Sequence, residues 1–92
     1  MSFSPGDMVR VPHEFFTRYV RSYLGLRPSP DTPVHDETSP GLVGRDDIMI
    51  VLSTTEVPPH RWETILGTTD VRVVTSTGTT GWIFDYNLEV VK

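Results

Sequence analysis

The sequence predicts a mainly β domain, a small closed barrel of five short strands with a short helix and a proline-rich arm inserted after the first strand. Three observations carry this reading. The last third of the chain, DVRVVTSTGTTGWIFDYNLEVV from Asp70 to Val91, reads as a hairpin, a tight turn and a final short strand. The opening PGDMVRV, from Pro5 to Val11, supplies a turn and then a short apolar run. Between His13 and Leu24 the apolar period lengthens to steps of three and four, and a run of prolines follows.

The first strand is Asp7 to Val11, where Met8, Val9 and Val11 surround Arg10 and Pro12 stops the run. Phe15, Phe16, Tyr19, Val20, Tyr23 and Leu24 then form a helical stripe, with Thr17, Arg18, Arg21 and Ser22 on the other face. Pro12 suits the first turn of that helix and Gly25 its C-terminal cap, which places it at about 13–24. From Arg27 to Gly41 the chain reads RPSPDTPVHDETSPG, with only Val34 as a sizeable apolar residue. So little apolar surface cannot offset the entropy of ordering the segment, so composition predicts an extended or mobile arm over 27–41.

Strands resume after the polar turn Gly44 to Asp47. Ile48 to Ser53 is nearly continuous in apolar residues, which predicts burial on both faces. Pro58 and Pro59 end the next segment, and a short strand is expected from Trp62 to Leu66, stopped by Gly67. Val71 and Val73 share one face, with Arg72 and Val74 on the other, and Gly78 can take the positive φ that a tight turn at Ser76 to Thr79 requires. Thr80, Trp82 and Phe84 then face one way and Ile83 the other. A turn or single 3₁₀ turn at Asp85 to Asn87 leads into a last strand at Leu88 to Val91. Short strands separated by turns favour closure, because a barrel removes exposed edges.

Composition narrows the function classes. Ninety-two residues make one domain with one core, too small for an elaborate enzyme site. A net charge of −4 provides no general field for phosphates, so nucleic-acid binding would need a locally basic face. The absence of cysteine excludes disulfides, thiolate metal sites and a cysteine nucleophile. No apolar run is long enough to cross a bilayer, and MSFSPGDM lacks the basic and apolar regions of a signal peptide, so the expectation is a soluble protein made in a cytoplasm.

No catalytic or metal constellation emerges. His13, His35 and His60 are scattered, and His13-Glu14 lacks the second histidine four residues on that a zinc-protease helix needs. Asp46 and Asp47 are adjacent on an extended chain and point oppositely, and a turn before a strand is where aspartates normally sit. Gly41, Gly44, Gly78 and Gly81 are separated by strand-like sequence, so they make no phosphate loop. The expectation is a non-enzymatic protein without cofactor or metal.

Three stretches, PGDMVRV, GLVGRDDIMIVL and VRVVTSTGTTGWIFDYNLEVV, resemble the SH3-like small barrels, especially the short single-domain versions encoded by tailed bacteriophages, cyanophages included. The similarity covers Pro5 to Pro12 and Gly41 to Val91. It implies that Gly81-Trp82-Ile83 belongs to the fourth strand, Asp85-Tyr86-Asn87 to the 3₁₀ turn and Leu88 to Val91 to the closing strand. Eukaryotic members that bind proline-rich peptides carry an aromatic-acidic motif in the first long loop and a proline where this chain has Phe84. Neither is present here, so standard polyproline recognition is not implied. The first long loop is instead expanded by an insertion over 13–40, and added elements of this kind serve contacts.

The candidate contact residues are therefore Phe15, Arg18, Tyr19, Arg21, Tyr23, Arg27, Pro30 and Val34 of the insertion, with Trp82 and Phe84, which should point outward and need covering by the helix or a partner. Arginine, tyrosine and phenylalanine are enriched at interface centres, although an amphipathic stripe also serves to lay a helix on its own core. The resemblance implies a virion structural or accessory protein of the cement, decoration or connector type, in the virion or in host cytoplasm during assembly. Its partners would be other assembly proteins or further copies of the chain, with no membrane. The alternative is a KOW-like nucleic-acid or transcription-associated module, since GDMVRV and a following Gly-x-x-Gly occur there too. Arg10, Arg18, Arg21 and Arg27 support that alternative, while Asp7, Glu14 and the presence of a single lysine, Lys92, weigh against it.

Overall fold

The structure, a computed structural model, describes residues 3–30, 39–56 and 68–91. It is mainly β, with one short helix. The elements run β1 (Met8–Arg10), α1 (His13–Arg18), β2 (Tyr23–Gly25), β3 (Leu42–Gly44), β4 (Met49–Glu56), β5 (Thr69–Thr75), β6 (Thr80–Phe84), a 3₁₀ turn (Asp85–Asn87) and β7 (Glu89–Val90). Five strands form one antiparallel sheet in the order β6-β5-β4-β1-β7, and β2 and β3 form a separate ribbon.

The opening turn is set by two residue types. Pro5 and Gly6 occupy its centre, with Gly6 at φ 94°, and the Asp7 N–H closes it on the Ser4 carbonyl at 3.0 Å. The turn is stitched to β4, since Gly6 donates to the Val51 carbonyl and Val51 donates back to Asp7. At the other hairpin Gly78 has φ 88°, as the turn between β5 and β6 requires, and Thr75 and Thr79 close it by backbone and side-chain hydrogen bonds.

The core gathers the inward faces of the sheet, Val9, Met49, Val51, Val71, Val73 and Ile83, with Phe16 of α1, Leu24 and Leu26, Val43 of β3, and Leu88. Val71 and Val73 share the buried face, as alternation requires, while Arg72 is exposed. The double-sided burial expected over Ile48 to Ser53 does not occur. Met49 and Val51 are buried but Ile50 and Leu52 lie exposed, because the described sheet has no second layer on that side. The register of β4 against β5 shifts between Val51 and Ser53, as a β-bulge does.

The helix is also shorter than its stripe suggests. It ends at Arg18 because Val20 adopts φ 50°, and the Arg21 and Val20 N–H groups turn back to the carbonyls of Phe16 and Thr17. That is a Schellman ending with valine at the left-handed position where glycine is usual. Tyr23 and Leu24, expected in the helix, instead alternate out and in along β2, and Gly25 sits in that strand rather than at a cap. Pro12 precedes the helix as its N-cap position with ψ 145° instead of entering its first turn.

The expected closure is not observed. The sheet and the ribbon are not closed into a barrel: β6 and β7 stand at opposite ends of the strand order, and β7 is only two residues long. The ribbon meets the sheet at the isolated bridge between Arg27 and Trp82, whose backbone groups exchange hydrogen bonds of 2.8 and 2.9 Å. The strand expected at Trp62 to Leu66 and the arm residue Val34 lie outside the described residues.

Candidate functional site

Two aromatic groups face each other across an open cavity of about 230 Å³ between α1 and the 3₁₀ turn, lined by Pro12, Glu14, Phe15, Arg18, Tyr19, Tyr86 and Asn87. On the helix side, one turn separates Phe15 from Tyr19, so their rings lie 5.1 Å apart on one face. Phe15 also packs edge-on against buried Phe16 at 5.3 Å, which fixes it to the core. Tyr19 is 57 % exposed and forms the outer lip.

The opposite wall is Tyr86, 53 % exposed and stacked on Phe84 at 5.3 Å and 14° between planes. Phe84 ends β6, and the 3₁₀ turn brings Tyr86 over the same face two residues later. Glu14 and Arg18, four residues apart on the helix, place one charge of each sign at the rim. Aromatic side chains, a proline and one charge of each sign thus line a single open concavity, which can take apolar and polar groups together.

The sequence candidates divide among several places. Phe15, Arg18 and Tyr19 come together in the groove. Arg21 and Tyr23 lie against each other instead, with the guanidinium 5.2 Å from the ring centroid. Trp82 is half-buried beside the Arg27 bridge.

Arg27 and Phe84 cannot serve as exposed contacts, because they cover one another. Phe84 faces away from the inner core as expected, but it is buried beneath Arg27, whose guanidinium carbon sits 3.8 Å from its ring centroid. Arg27 is 2 % exposed and forms an ion pair with Asp70, itself fully buried and directly across from Phe84 on β5. The guanidinium also donates to the Pro30 carbonyl at 3.4 Å, which gives half-buried Pro30 a structural place at the root of the arm.

Sequence reasoning missed Tyr86, Asn87, Pro12 and Glu14 as groove residues and Asp70 as a buried partner. The Asp85-Tyr86-Asn87 turn was legible, but which face its tyrosine covers depends on the 3₁₀ geometry. An aspartate at the start of an otherwise apolar strand, TTDVRVV, was a usable signal for a buried ion pair. Comparison with known protein families, characterised proteins and solved structures finds no match to this chain.

Proposed function

We propose that this protein is a non-enzymatic interaction module, an open variant of the SH3-like strand arrangement that accepts a segment of a partner protein in the groove between α1 and the 3₁₀ turn. The observation that carries the reading is that groove: exposed Tyr19 and Tyr86, with half-buried Phe15 between them and the core, present aromatic surface around one concave site. The SH3-like part is supported by the antiparallel order β6-β5-β4-β1-β7 and by the 3₁₀ turn placed before the closing strand. The setting we propose is a tailed-phage particle, where the chain acts as a cement, decoration or connector protein. That setting rests on the sequence resemblance and on the size of the insertion.

The KOW-like alternative is weakened by the fate of its arginines. Arg27 is buried against Asp70, and Arg10 is held by Glu89 at 2.8 Å, so two of the four are already neutralised. Of the four arginines that support this alternative, Arg18 and Arg21 remain exposed, and a phosphate-binding face needs more such contacts than two.

The test combines location with the groove. Mass spectrometry of purified particles of the encoding phage should detect the chain. Rebinding of the purified protein to particles lacking it should weaken at least about tenfold for Tyr86→Ala, as loss of one interface aromatic predicts. Absence from the particles defeats the setting, and undiminished binding by the Tyr86 variant defeats the groove.

A further inference from the structure

The Arg27–Asp70 pair stands outside the groove, yet it is the most heavily buried charge in the described structure. Its two side chains are 2 % and 1 % exposed. A buried ion pair is poor at stabilising a fold compared with apolar residues of the same size, whereas removing one partner is severe. Such a pair is best explained by what its geometry holds in place.

Arg27 holds three things at once. Its backbone pairs with Trp82 on the outer edge of β6, its guanidinium lies over Phe84, and its ion pair reaches Asp70 on β5. Phe84 in turn carries Tyr86, the far wall of the groove. The approach of this segment to β6 is unusually close: a Cβ on Gly81 would lie 2.6 Å from the Leu26 Cβ and 3.3 Å from the Arg27 carbonyl oxygen. Only glycine lets the segment seat there, so close packing of backbone and the charge pair both point to one docked conformation.

We infer that Arg27 and Asp70 form a clasp that closes the outer edge of β6 and positions Tyr86 as the wall of the groove. The inference deepens the proposed function by assigning positioning residues to its site, and its binding consequence rests on that reading. Opening the clasp releases Leu26 to Pro30 from β6, bares a strand edge beside Trp82 and uncovers Phe84, on which Tyr86 stacks.

Hydrogen exchange and NMR on the full chain test this without any partner, so failure of the clasp is distinguishable from failure of the groove. In Asp70→Asn, the Arg27 and Trp82 amides should lose protection at least about tenfold more than the Val51 amide, which bonds to Asp7 on the far side of the sheet. The Tyr86 ring signals should move toward unstacked values. Arg27→Lys keeps the charge but loses the planar fork and the stacking face, and should produce the same pattern more weakly, which covers the case in which Asp70→Asn fails to fold. Protection at Trp82 that falls only in step with Val51, or that does not change, overturns the clasp. A loosened Trp82 amide with unmoved Tyr86 signals overturns the positioning of the groove.

Discussion

The meander of β4, β5 and β6 and the inserted segment from Pro12 to Pro30 are built on different physical logic. In the meander, side chains follow a period of two, and Met49, Val51, Val71, Val73 and Ile83 are buried because every second residue must face the same way. In the insertion no period holds for more than a few residues. Its course is set by particular contacts: the Schellman turn at Val20, the buried Phe16 and Leu24, the close seat over Gly81 and the ion pair of Arg27. One region is specified by pattern and the other by individual partners, so substitutions should act differently in the two.

The largest expected effect lies at Arg27. Replacing it by alanine leaves Asp70 without its countercharge in a site shielded from water, and the loss should reach about 3 kcal/mol, limited by the ability of the segment to lift and rehydrate Asp70. Replacing both partners, Arg27→Met with Asp70→Leu, should recover most of that stability. A pair of truncations in the meander, Val71→Ala with Val73→Ala, offers no such recovery, since each removes packed methyl groups and their costs accumulate. Urea unfolding of the three variants against the parent chain decides the matter. A double Arg27 and Asp70 variant as unstable as Arg27→Ala would erase the distinction between the two regions.

The same contrast explains what was legible in the sequence. The strands at Asp7 to Val11, Val71 to Val74 and Thr80 to Phe84, and the turns at Pro5-Gly6, Gly44 to Asp47 and Gly78, could be read because alternation and turn chemistry are local. The apolar stripe locates the start of the helix at His13 but runs past its end at Arg18 to Leu24. Its stripe of Tyr19, Val20, Tyr23 and Leu24 fits a helix and a strand about equally, and the decision falls to Val20 at φ 50° and to the pairing of Leu24 with Val43. Ile50 and Leu52 look like core residues in isolation, yet they lie on the face of β4 opposite buried Met49 and Val51, where no described element covers them. Of the groove, Phe15, Arg18 and Tyr19 were recoverable from the helical spacing. That Tyr86 faces the helix, and that Arg27 is the partner of Asp70, were not, because both depend on residues distant in sequence meeting in the fold.

Gly81 tests the seat of the insertion with a smaller change. A Cβ there would meet the Leu26 Cβ at 2.6 Å and its Cδ1 at 3.1 Å, and the backbone of a paired strand has little room to retreat. Gly81→Ala should therefore cost about 1–3 kcal/mol through overpacking, with the loss of amide protection concentrated at Arg27 and Trp82. An even loss across β4 and β5 would mean that the insertion and the meander form one cooperative unit.

Val20 gives the smallest effect and the opposite sign. A β-branched residue in the left-handed region carries a steric cost of about 1–2 kcal/mol, and this valine is 90 % exposed, so its side chain contributes almost no burial in return. Val20→Gly removes the clash but adds backbone entropy to the unfolded chain, which cancels roughly half of the gain. The expected outcome is a stabilisation of about 0.5–1 kcal/mol, read as a higher urea midpoint with unchanged slope. Because the Schellman ending sets where the chain leaves α1 for β2, the same variant should leave the β2–β3 pairing intact. A variant in which the helix instead runs on through Tyr23 would mean that Val20 is what divides the insertion between helix and strand, so that even the contact-built region depends on a single residue for its choice of structure.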